Sequence, residues 1–189
     1  NFMNKNKTLS INEVFLLAVK KHQQNKTDVA QKLYSQVLKI NQNHVDAHNN
    51  LGVIFKNLGE NEKAIDCYEK AIAINPNYAN AHNNLGLVFK NLGENEKAID
   101  CYEKAIAINP NYVDAYNNLG IIFDQLGQNQ KAIDCYEKAI TINPNHANAH
   151  NNLGVILKKI GQNQKAIDCY EKAIAINPNY VNTHNNLGI

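Results

Sequence analysis

The chain has 189 residues, of which 44% are hydrophobic and 19% charged, and these proportions exclude a disordered polyelectrolyte. Its 19 basic and 17 acidic residues are intermixed and give a formal net charge of +2, without the positive excess that nucleic acid or an anionic membrane would require. The longest apolar run, Val14 to Val19, is much shorter than the roughly 20 residues of a transmembrane helix, so we expect a cytoplasmic protein with no nucleic-acid or membrane partner.

The first predicted helix follows an N-terminal tail, residues 1–10. Ser10 and Glu13 have the spacing of a capping box, in which each side chain satisfies a free backbone amide at the start of a helix. The segment 11–44 aligns with the repeats that follow it, but has Ala18 and Gln42 where those repeats have glycine and proline. We therefore predict that 11–44 is a degenerate repeat that caps an array.

A repeat of 34 residues fills the remainder of the chain. Residues 45–78 and 79–112 differ at only four positions, and further copies occupy 113–146 and 147–180. Another copy starts at 181 and reaches 189. A period near 34 predicts a helical solenoid in which each unit packs on its neighbours. Positions are numbered below from the first residue of each copy, so that residue 45 is position 1 of the second copy.

Each copy is predicted to be a pair of helices. In 79–112, one stripe of the first helix is formed by His82, Leu85, Gly86 and Phe89, which recur at helical spacing. Gly93 can adopt the left-handed conformation that ends a helix. A second stripe then follows at Ala98, Ile99, Tyr102, Ala105 and Ile106. Pro110 ends the second helix because proline lacks an amide donor and disfavours helical geometry in the residue before it.

Large and small residues recur at fixed positions, as in His48, Leu51, Gly52, Phe55, Ala64, Tyr68, Ala71 and Pro76. This pattern resembles the tetratricopeptide repeat (TPR), and the resemblance covers residues 11–189. It implies an all-α, right-handed superhelical solenoid whose first helices line a concave groove. Position 4 is commonly tryptophan or tyrosine in that family, whereas here it is histidine in most copies and Tyr116 in one.

Each copy also carries two adjacent asparagines, at positions 5 and 6 of its first helix. Position 6 lies opposite the buried stripe, and the resemblance implies that this side faces the groove. An amide has one acceptor oxygen and two N–H donors, so a row of amides can pair with the main chain of an extended peptide. The predicted peptide-binding residues are Asn50, Asn84, Asn118, Asn152 and Asn186 at position 6, Asn49, Asn83, Asn117 and Asn151 at position 5, and Lys56, Lys90 and Lys158 at position 12.

Two interpretations of the asparagines stay open beside a general interaction scaffold. The position-6 row is similar to the asparagine ladder of the O-linked N-acetylglucosamine transferases, which implies the substrate-recognition region of a glycosyltransferase-like protein. Alternatively, asparagine is simply abundant in this chain, since it also fills position 17 of the later copies and both sides of each linker proline. Because the copies are near-identical, their asparagine pairs are closer to one observation than to five.

The four cysteines and most histidines occur once per copy. Cys67, Cys101, Cys135 and Cys169 share position 23, and packed helices about 8–10 Å apart hold them beyond the roughly 7 Å reach of a disulfide. We expect buried thiols in a reducing compartment. The histidines lack the nearby second ligand that zinc requires. With no phosphate loop and no nucleophile motif, the sequence predicts no enzyme, no cofactor and no metal site.

The last copy stops within its first helix, where Leu187 and Ile189 begin an apolar stripe. Phe15 and Leu16 form another apolar patch near the other end, where later copies have asparagines. Besides truncation, this suggests a third interpretation, a homo-oligomer in which copies of the protein stack end to end into a filament. The sequence-based prediction is a scaffold that binds a protein or extended peptide in its groove.

Overall fold

The computed structural model of the chain describes residues 9–179. Within this range, the structure consists of ten α-helices and contains no strand: α1 Ile11–Gln23, α2 Thr27–Ile40, α3 Val45–Asn57, α4 Asn61–Ile74, α5 Ala79–Asn91, α6 Asn95–Ile108, α7 Val113–Gln125, α8 Asn129–Ile142, α9 Ala147–Lys159 and α10 Asn163–Ile176. The predicted all-α fold is therefore confirmed. Most of the predicted N-terminal tail, the predicted copy at 181–189 and Asn186 lie outside the described residues.

The chain forms two compact units, Asn1–Val88 and Phe89–Ile189. The division falls within α5, so the first unit contains α1 to α4 and most of α5, and the second contains α6 to α10. In the first unit, α1 packs on α2, α2 on α3, and α3 on α4. In the second, each helix from α6 to α10 packs on the next, and the first helices α7 and α9 also touch.

The turns inside the helix pairs depend on a left-handed residue at position 15. Gly59, Gly93, Gly127 and Gly161 have φ between +72° and +82°. The first pair has Asn25 at this position, with φ +57°. Asparagine tolerates this conformation better than other residues with a side chain, so the degenerate first copy retains the same turn.

The linkers between helix pairs explain part of the asparagine content. The Asn75 side chain accepts a hydrogen bond from the Asn77 amide at 3.1 Å, and the Asn75 backbone oxygen accepts one from the amide of Tyr78. Equivalent side-chain bonds follow α2, α6, α8 and α10. Asparagine is favoured here because its short side chain can close a turn on its own backbone. These linker asparagines therefore have a structural role.

A glycine and a tyrosine set the approach of the two helices in a pair. A Cβ atom built on Gly52 would lie 2.6 Å from the Tyr68 ring. A Cβ atom built on Gly120 would lie at the same distance from the Tyr136 ring, and one built on Gly154 at the same distance from the Tyr170 ring. The tyrosine side chains at this position are almost completely buried. Position 8 is therefore glycine because the tyrosine ring occupies the space that a side chain would need.

The first helix starts with the predicted capping box. Ser10 accepts a hydrogen bond from the Glu13 amide, and the Glu13 carboxylate accepts one from the Ser10 amide. The same helix differs from later first helices at positions 3 and 10. Later copies bury alanine at position 3 and isoleucine or valine at position 10, whereas α1 has exposed Glu13 and Lys20. The face of α1 that would stack on a preceding repeat is therefore polar.

Candidate functional site

We define the inner face as positions 6 and 9 of the first helices. In the first unit it comprises Leu16, Val19, Asn50, Val53, Asn84 and Leu87, and in the second Asn118, Ile121, Asn152 and Val155. All of these side chains are half-buried except that of Leu16, which is 66% exposed. The inner face of each unit thus combines a row of amides with a parallel row of apolar side chains.

The sequence predicts that the position-5 asparagines flank an open groove, but the structure buries their side chains. Asn49, Asn83, Asn117 and Asn151 are each only 6–7% exposed. Successive residues of a helix differ by about 100° in direction, which turns position 5 away from the inner face and toward a neighbouring first helix. These four residues are therefore unavailable as direct contacts for a peptide, and their amides serve a different purpose.

The position-5 amides hold the position-6 amides of the inner face. Asn84 donates a hydrogen bond from Nδ2 to Oδ1 of Asn49 at 3.0 Å, which joins α5 to α3. In the second unit, Asn152 on α9 makes the same bond to Asn117 on α7 at 3.1 Å. Within a pair, the Asn151 amide also donates to Oδ1 of Asn152 at 3.4 Å. These asparagine pairs therefore connect successive repeats within each unit and fix the orientation of the half-buried position-6 amides.

At the first repeat, a tyrosine hydroxyl replaces the position-5 amide as the acceptor of the position-6 hydrogen bond. Phe15 occupies position 5 there, so Asn50 has no amide to bind on α1 and donates instead to the Tyr34 hydroxyl at 3.3 Å. Burial raises the pKa of Tyr34, and the hydrogen bond from Asn50 opposes this rise. Asn84 binds Asn49 instead of a phenol, and the buried Tyr68 hydroxyl has no partner among residues 9–179. Phe15 is not an uncovered patch, because its ring centroid lies 5.9 Å from that of Tyr34.

The position-12 residues of the first helices differ from copy to copy in charge and exposure. Lys56 and Lys90 are half-buried, and burial lowers the pKa of Lys90. Lys158 is exposed. Asp124 breaks the lysine series, and its carboxylate accepts a bond from Lys159 at 3.0 Å. The lysines therefore do not form a uniform basic row.

A further set of contacts was not found from the sequence. The Tyr78 hydroxyl donates to the Asp46 carboxylate at 2.5 Å, and His146 lies 3.4 Å from Asp114 through Nε2. The hydrogen bond from His146 lowers the pKa of Asp114. Both pairs join position 2 of a copy to its position 34. The available signal was an acid at position 2 of these two copies and a tyrosine or histidine at their position 34.

The histidines at position 4 anchor each first helix to the preceding linker. Nε2 of His48, His82 and His150 lies 2.8–3.0 Å from a linker carbonyl oxygen. Because a carbonyl oxygen only accepts, Nε2 must carry the proton. These rings therefore have a packing role, and no group of three or more metal-ligating side chains occurs among residues 9–179.

The cysteines are free thiols, three of them buried. Burial raises the pKa of Cys67 and of Cys135 to about 11, and also raises that of Cys169. A thiol with a raised pKa is mostly protonated at neutral pH and is therefore a poor nucleophile. The position-23 cysteines are thus packing residues, as the sequence predicts.

Comparison with known families identifies the repeat. Sequence models described as TPR repeat match residues 20–59 and 54–93, and models described as tetratricopeptide repeat match 77–145 and 147–180. Together these matches cover most of the chain. The chain belongs to the tetratricopeptide-repeat family. None of these matching models describes a catalytic domain.

Solved structures agree with this assignment. The crystal structure of MamA is 31% identical to this TPR chain, with a TM-score of 0.74 over 87% of this chain and 96% of MamA. YrrB, a TPR protein with an unusual peptide-binding site, is 21% identical, with a TM-score of 0.71 over 95% of this chain and 93% of YrrB. PilF of Pseudomonas aeruginosa is 22% identical, with a TM-score of 0.85 over 92% of this chain and 79% of PilF. At identities of 21% and 22%, the similarity of this chain to YrrB and PilF shows only that the fold is shared.

Other comparisons add less. A search of curated protein sequences found no match to this TPR chain. The family and structure matches support the repeat but do not extend to the glycosyltransferase resemblance, which stays a prediction. No helix within residues 9–179 is long and apolar enough to cross a membrane.

Proposed function

We propose that this TPR chain is an interaction scaffold that binds a protein or an extended peptide on its inner face and has no catalytic activity of its own. The observation that carries this proposal is the state of the position-6 amides. Asn152 donates one of its two N–H groups to Asn117 and accepts one hydrogen bond from Asn151. Because no other hydrogen bond to Asn152 occurs among residues 9–179, one N–H and one lone pair stay available in this range on a side chain whose orientation is already fixed.

Such an amide suits main-chain recognition. A peptide bond offers one N–H and one C=O, and an amide with one free donor and one free acceptor can pair with both. Fixing the amide before binding lowers the entropy that binding must overcome. The apolar side chains at position 9, such as Val155, lie beside the amides and supply contact area for ligand side chains. YrrB, a structural relative with an unusual peptide-binding site, is consistent with this use of the fold.

Two narrower functions remain as alternatives. A glycosyltransferase-like protein would use the same amides to hold its substrate, and its catalytic domain would have to lie outside these 189 residues. End-to-end stacking of copies would need an apolar N-terminal face. Glu13 and Lys20 on α1 weigh against stacking there, because their charged side chains are exposed to water and stacking would bury them.

A matched pair of variants tests the scaffold proposal. We would select displayed random peptides of about six residues on the immobilised protein, since an extended chain of that length, about 20 Å, is long enough to cross two helices spaced about 8–10 Å apart. Asn152→Ala removes an inner-face amide, whereas Asn117→Ala removes its buried partner and leaves the inner-face amide in place. Both variants lose the bond between repeats.

The proposal expects the selected peptides to bind Asn152→Ala about tenfold more weakly than Asn117→Ala, a difference of about 1.4 kcal/mol. Affinity would be measured by fluorescence anisotropy after unfolding curves confirm that the two variants have similar stability. Equal losses of affinity in the two variants would show that the amides act only between repeats. Failure to enrich any peptide would contradict peptide binding altogether.

A further inference from the structure

Each unit has an aspartate beside its inner face. Asp46 on α3 and Asp114 on α7 both occupy position 2 of a first helix, and both are exposed. Because successive residues of a helix differ by about 100° in direction, position 2 points within about 40° of position 6 and about 20° of position 9. Residues four apart on a helix have Cβ atoms about 5–6 Å apart. Each aspartate therefore lies one turn from an inner-face amide, Asn50 in the first unit and Asn118 in the second.

Both carboxylates are held by the last residue of their own copy. The Tyr78 hydroxyl donates to Oδ1 of Asp46 at 2.5 Å, and Nε2 of His146 lies 3.4 Å from Oδ1 of Asp114. Among residues 9–179, Oδ2 of each aspartate accepts no hydrogen bond, so this oxygen stays available to a ligand. The hydrogen bond from His146 lowers the pKa of Asp114, which is therefore ionised at neutral pH.

The charge of these carboxylates is not neutralised by a lysine of the chain. No lysine among residues 9–179 forms an ion pair with Asp46 or Asp114. These two are also the only charged residues at positions 2, 6 and 9 of the described first helices. The position-12 lysines lie ten residues further along a helix, or about 15 Å, which exceeds the screening length of about 8–10 Å at physiological salt. The inner face of each unit is therefore bordered by negative charge at position 2.

A role in helix formation does not account for the two aspartates. An acid near the start of a helix interacts favourably with the helix dipole. However, α5 and α9 have asparagine at position 2, Asn80 and Asn148, and each forms a helix of 13 residues, the same length as α3 and α7. Position 2 therefore accepts asparagine without loss of the helix, and the carboxylate is a feature of only some copies.

We propose that the segment bound on the inner face is basic, with a lysine or arginine side chain that pairs with Asp46 in the first unit or with Asp114 in the second. This inference rests on the proposed function and specifies the charge of its ligand. The main chain beside the basic residue pairs with Asn50 or Asn118, one helical turn away. An ionised acceptor strengthens the hydrogen bond to the ligand, and a carboxylate that is oriented before binding loses less entropy.

Selection of displayed random peptides on the parent chain and on a double variant tests the charge preference. The variant combines Asp46→Asn with Asp114→Asn, which gives both positions the residue of the other copies. Peptides enriched on the parent chain should contain more lysine and arginine than the unselected library, and peptides enriched on the variant should not. The matched control combines Asp28→Asn with Asp134→Asn, which removes two exposed carboxylates from second helices and should keep the preference. Circular dichroism would confirm that both variants are folded.

Fluorescence anisotropy titrations of an enriched peptide would measure the size of the effect. Replacing its basic residue by glutamine should weaken binding to the parent chain about fivefold, the upper range for an exposed ion pair. The same replacement should change binding to the variant with Asp46→Asn and Asp114→Asn by less than about twofold, because the carboxylates are absent. Binding to the control variant should respond to the replacement as binding to the parent chain does.

The outcomes separate this inference from the proposed function. If peptides are enriched on the parent chain without an excess of lysine and arginine, the basic preference is wrong while peptide binding stands. If the excess persists on the variant with Asp46→Asn and Asp114→Asn, or disappears equally on the control variant, the position-2 aspartates are not the contacts and the inference is wrong. If no peptide is enriched at all, the scaffold function is wrong as well.

Discussion

The asparagine pair shows how two neighbouring residues of one type acquire different roles. Position 5 is buried and accepts the amide of the next repeat, while position 6 is half-buried on the inner face. Asparagine lowers helix propensity by a few tenths of a kcal/mol to about 0.7 kcal/mol relative to alanine. A satisfied buried amide offsets that cost, because a hydrogen bond contributes about 1 kcal/mol net. The pair is therefore explained by packing even before a ligand is considered.

Asn49→Ala tests the buried half of this network. The substitution removes the acceptor of Asn84 and the amide that donates to Asn50 at 3.3 Å. We expect the free energy of unfolding to fall by about 2 kcal/mol, since partly buried polar groups lose their partners. Urea unfolding followed by circular dichroism would measure it. Asn57→Ala, at an exposed position of α3, is the matched control, and similar losses in both variants would exclude a role for the network.

At the scale of the helix pair, the contact of glycine with tyrosine fixes the distance between two helices. Gly120→Ala on α7 would place a Cβ atom 2.6 Å from the Tyr136 ring. Alanine gains about 1 kcal/mol of helix propensity, but overpacking costs about 1–3 kcal/mol, so we expect a net loss of about 1 kcal/mol. Urea unfolding would measure the loss.

A second variant is needed to show that the loss of stability in Gly120→Ala comes from contact with the Tyr136 ring. In a Tyr136→Leu background the ring is absent, so alanine at position 120 should stabilise the protein relative to glycine by its helix propensity. A double-mutant cycle would then give a coupling energy between the two sites. A stabilising effect of Gly120→Ala in the protein with Tyr136 would contradict the packing argument.

The elements were predictable from the sequence because their signals are local. Helical periodicity, a glycine for the left-handed turn and Asn-Pro at the linker are each read within one copy, and the structure has helices and turns at these places. The burial of position 5 was not predictable, since a polar side chain carries no sign that another helix will supply its partner. The bond between Tyr78 and Asp46 spans 32 residues and depends on packing across a whole copy.

At the scale of the whole chain, the polar face of α1 marks where stacking of repeats stops. Lys20 lies at position 10, where Ile54 and Ile122 of later repeats are fully buried. Lys20→Ile would give α1 the apolar side chain of an inner repeat. We expect this variant to self-associate at lower protein concentration than the parent chain, because association would remove the new apolar surface from water.

Sedimentation velocity over a range of concentrations would follow the association of Lys20→Ile. Lys39→Ile makes the same chemical change at an exposed position of α2 and is the matched control. Association of both variants to the same extent would mean that added hydrophobicity alone is responsible. Association of the parent chain itself at low concentration would support the alternative function, in which copies of the protein stack end to end.

The buried thiols and phenols make the stability of the whole chain sensitive to alkaline pH. Burial raises the pKa of Cys67 and Cys135 from 9.0 to about 11, and raises the pKa of Tyr68 and Tyr136 as well. The unfolded chain therefore releases these protons at lower pH than the folded chain. The contribution of the two thiols to stability is complete below about pH 9 and is lost as pH rises through about 11, whereas that of the phenols is lost at higher pH. Burial lowers the pKa of Lys90, which acts in the opposite direction but through a single group.

Unfolding in urea at a series of pH values between about 8 and 11 would measure this dependence. Each thiol should contribute a fall on the order of 2 kcal/mol in the free energy of unfolding by about pH 11. The double variant Cys67→Ala, Cys135→Ala keeps the tyrosines, so its stability should fall less steeply over the same range. If the two pH profiles run parallel, the thiols are not held protonated by the fold, and the close packing inferred around position 23 is wrong.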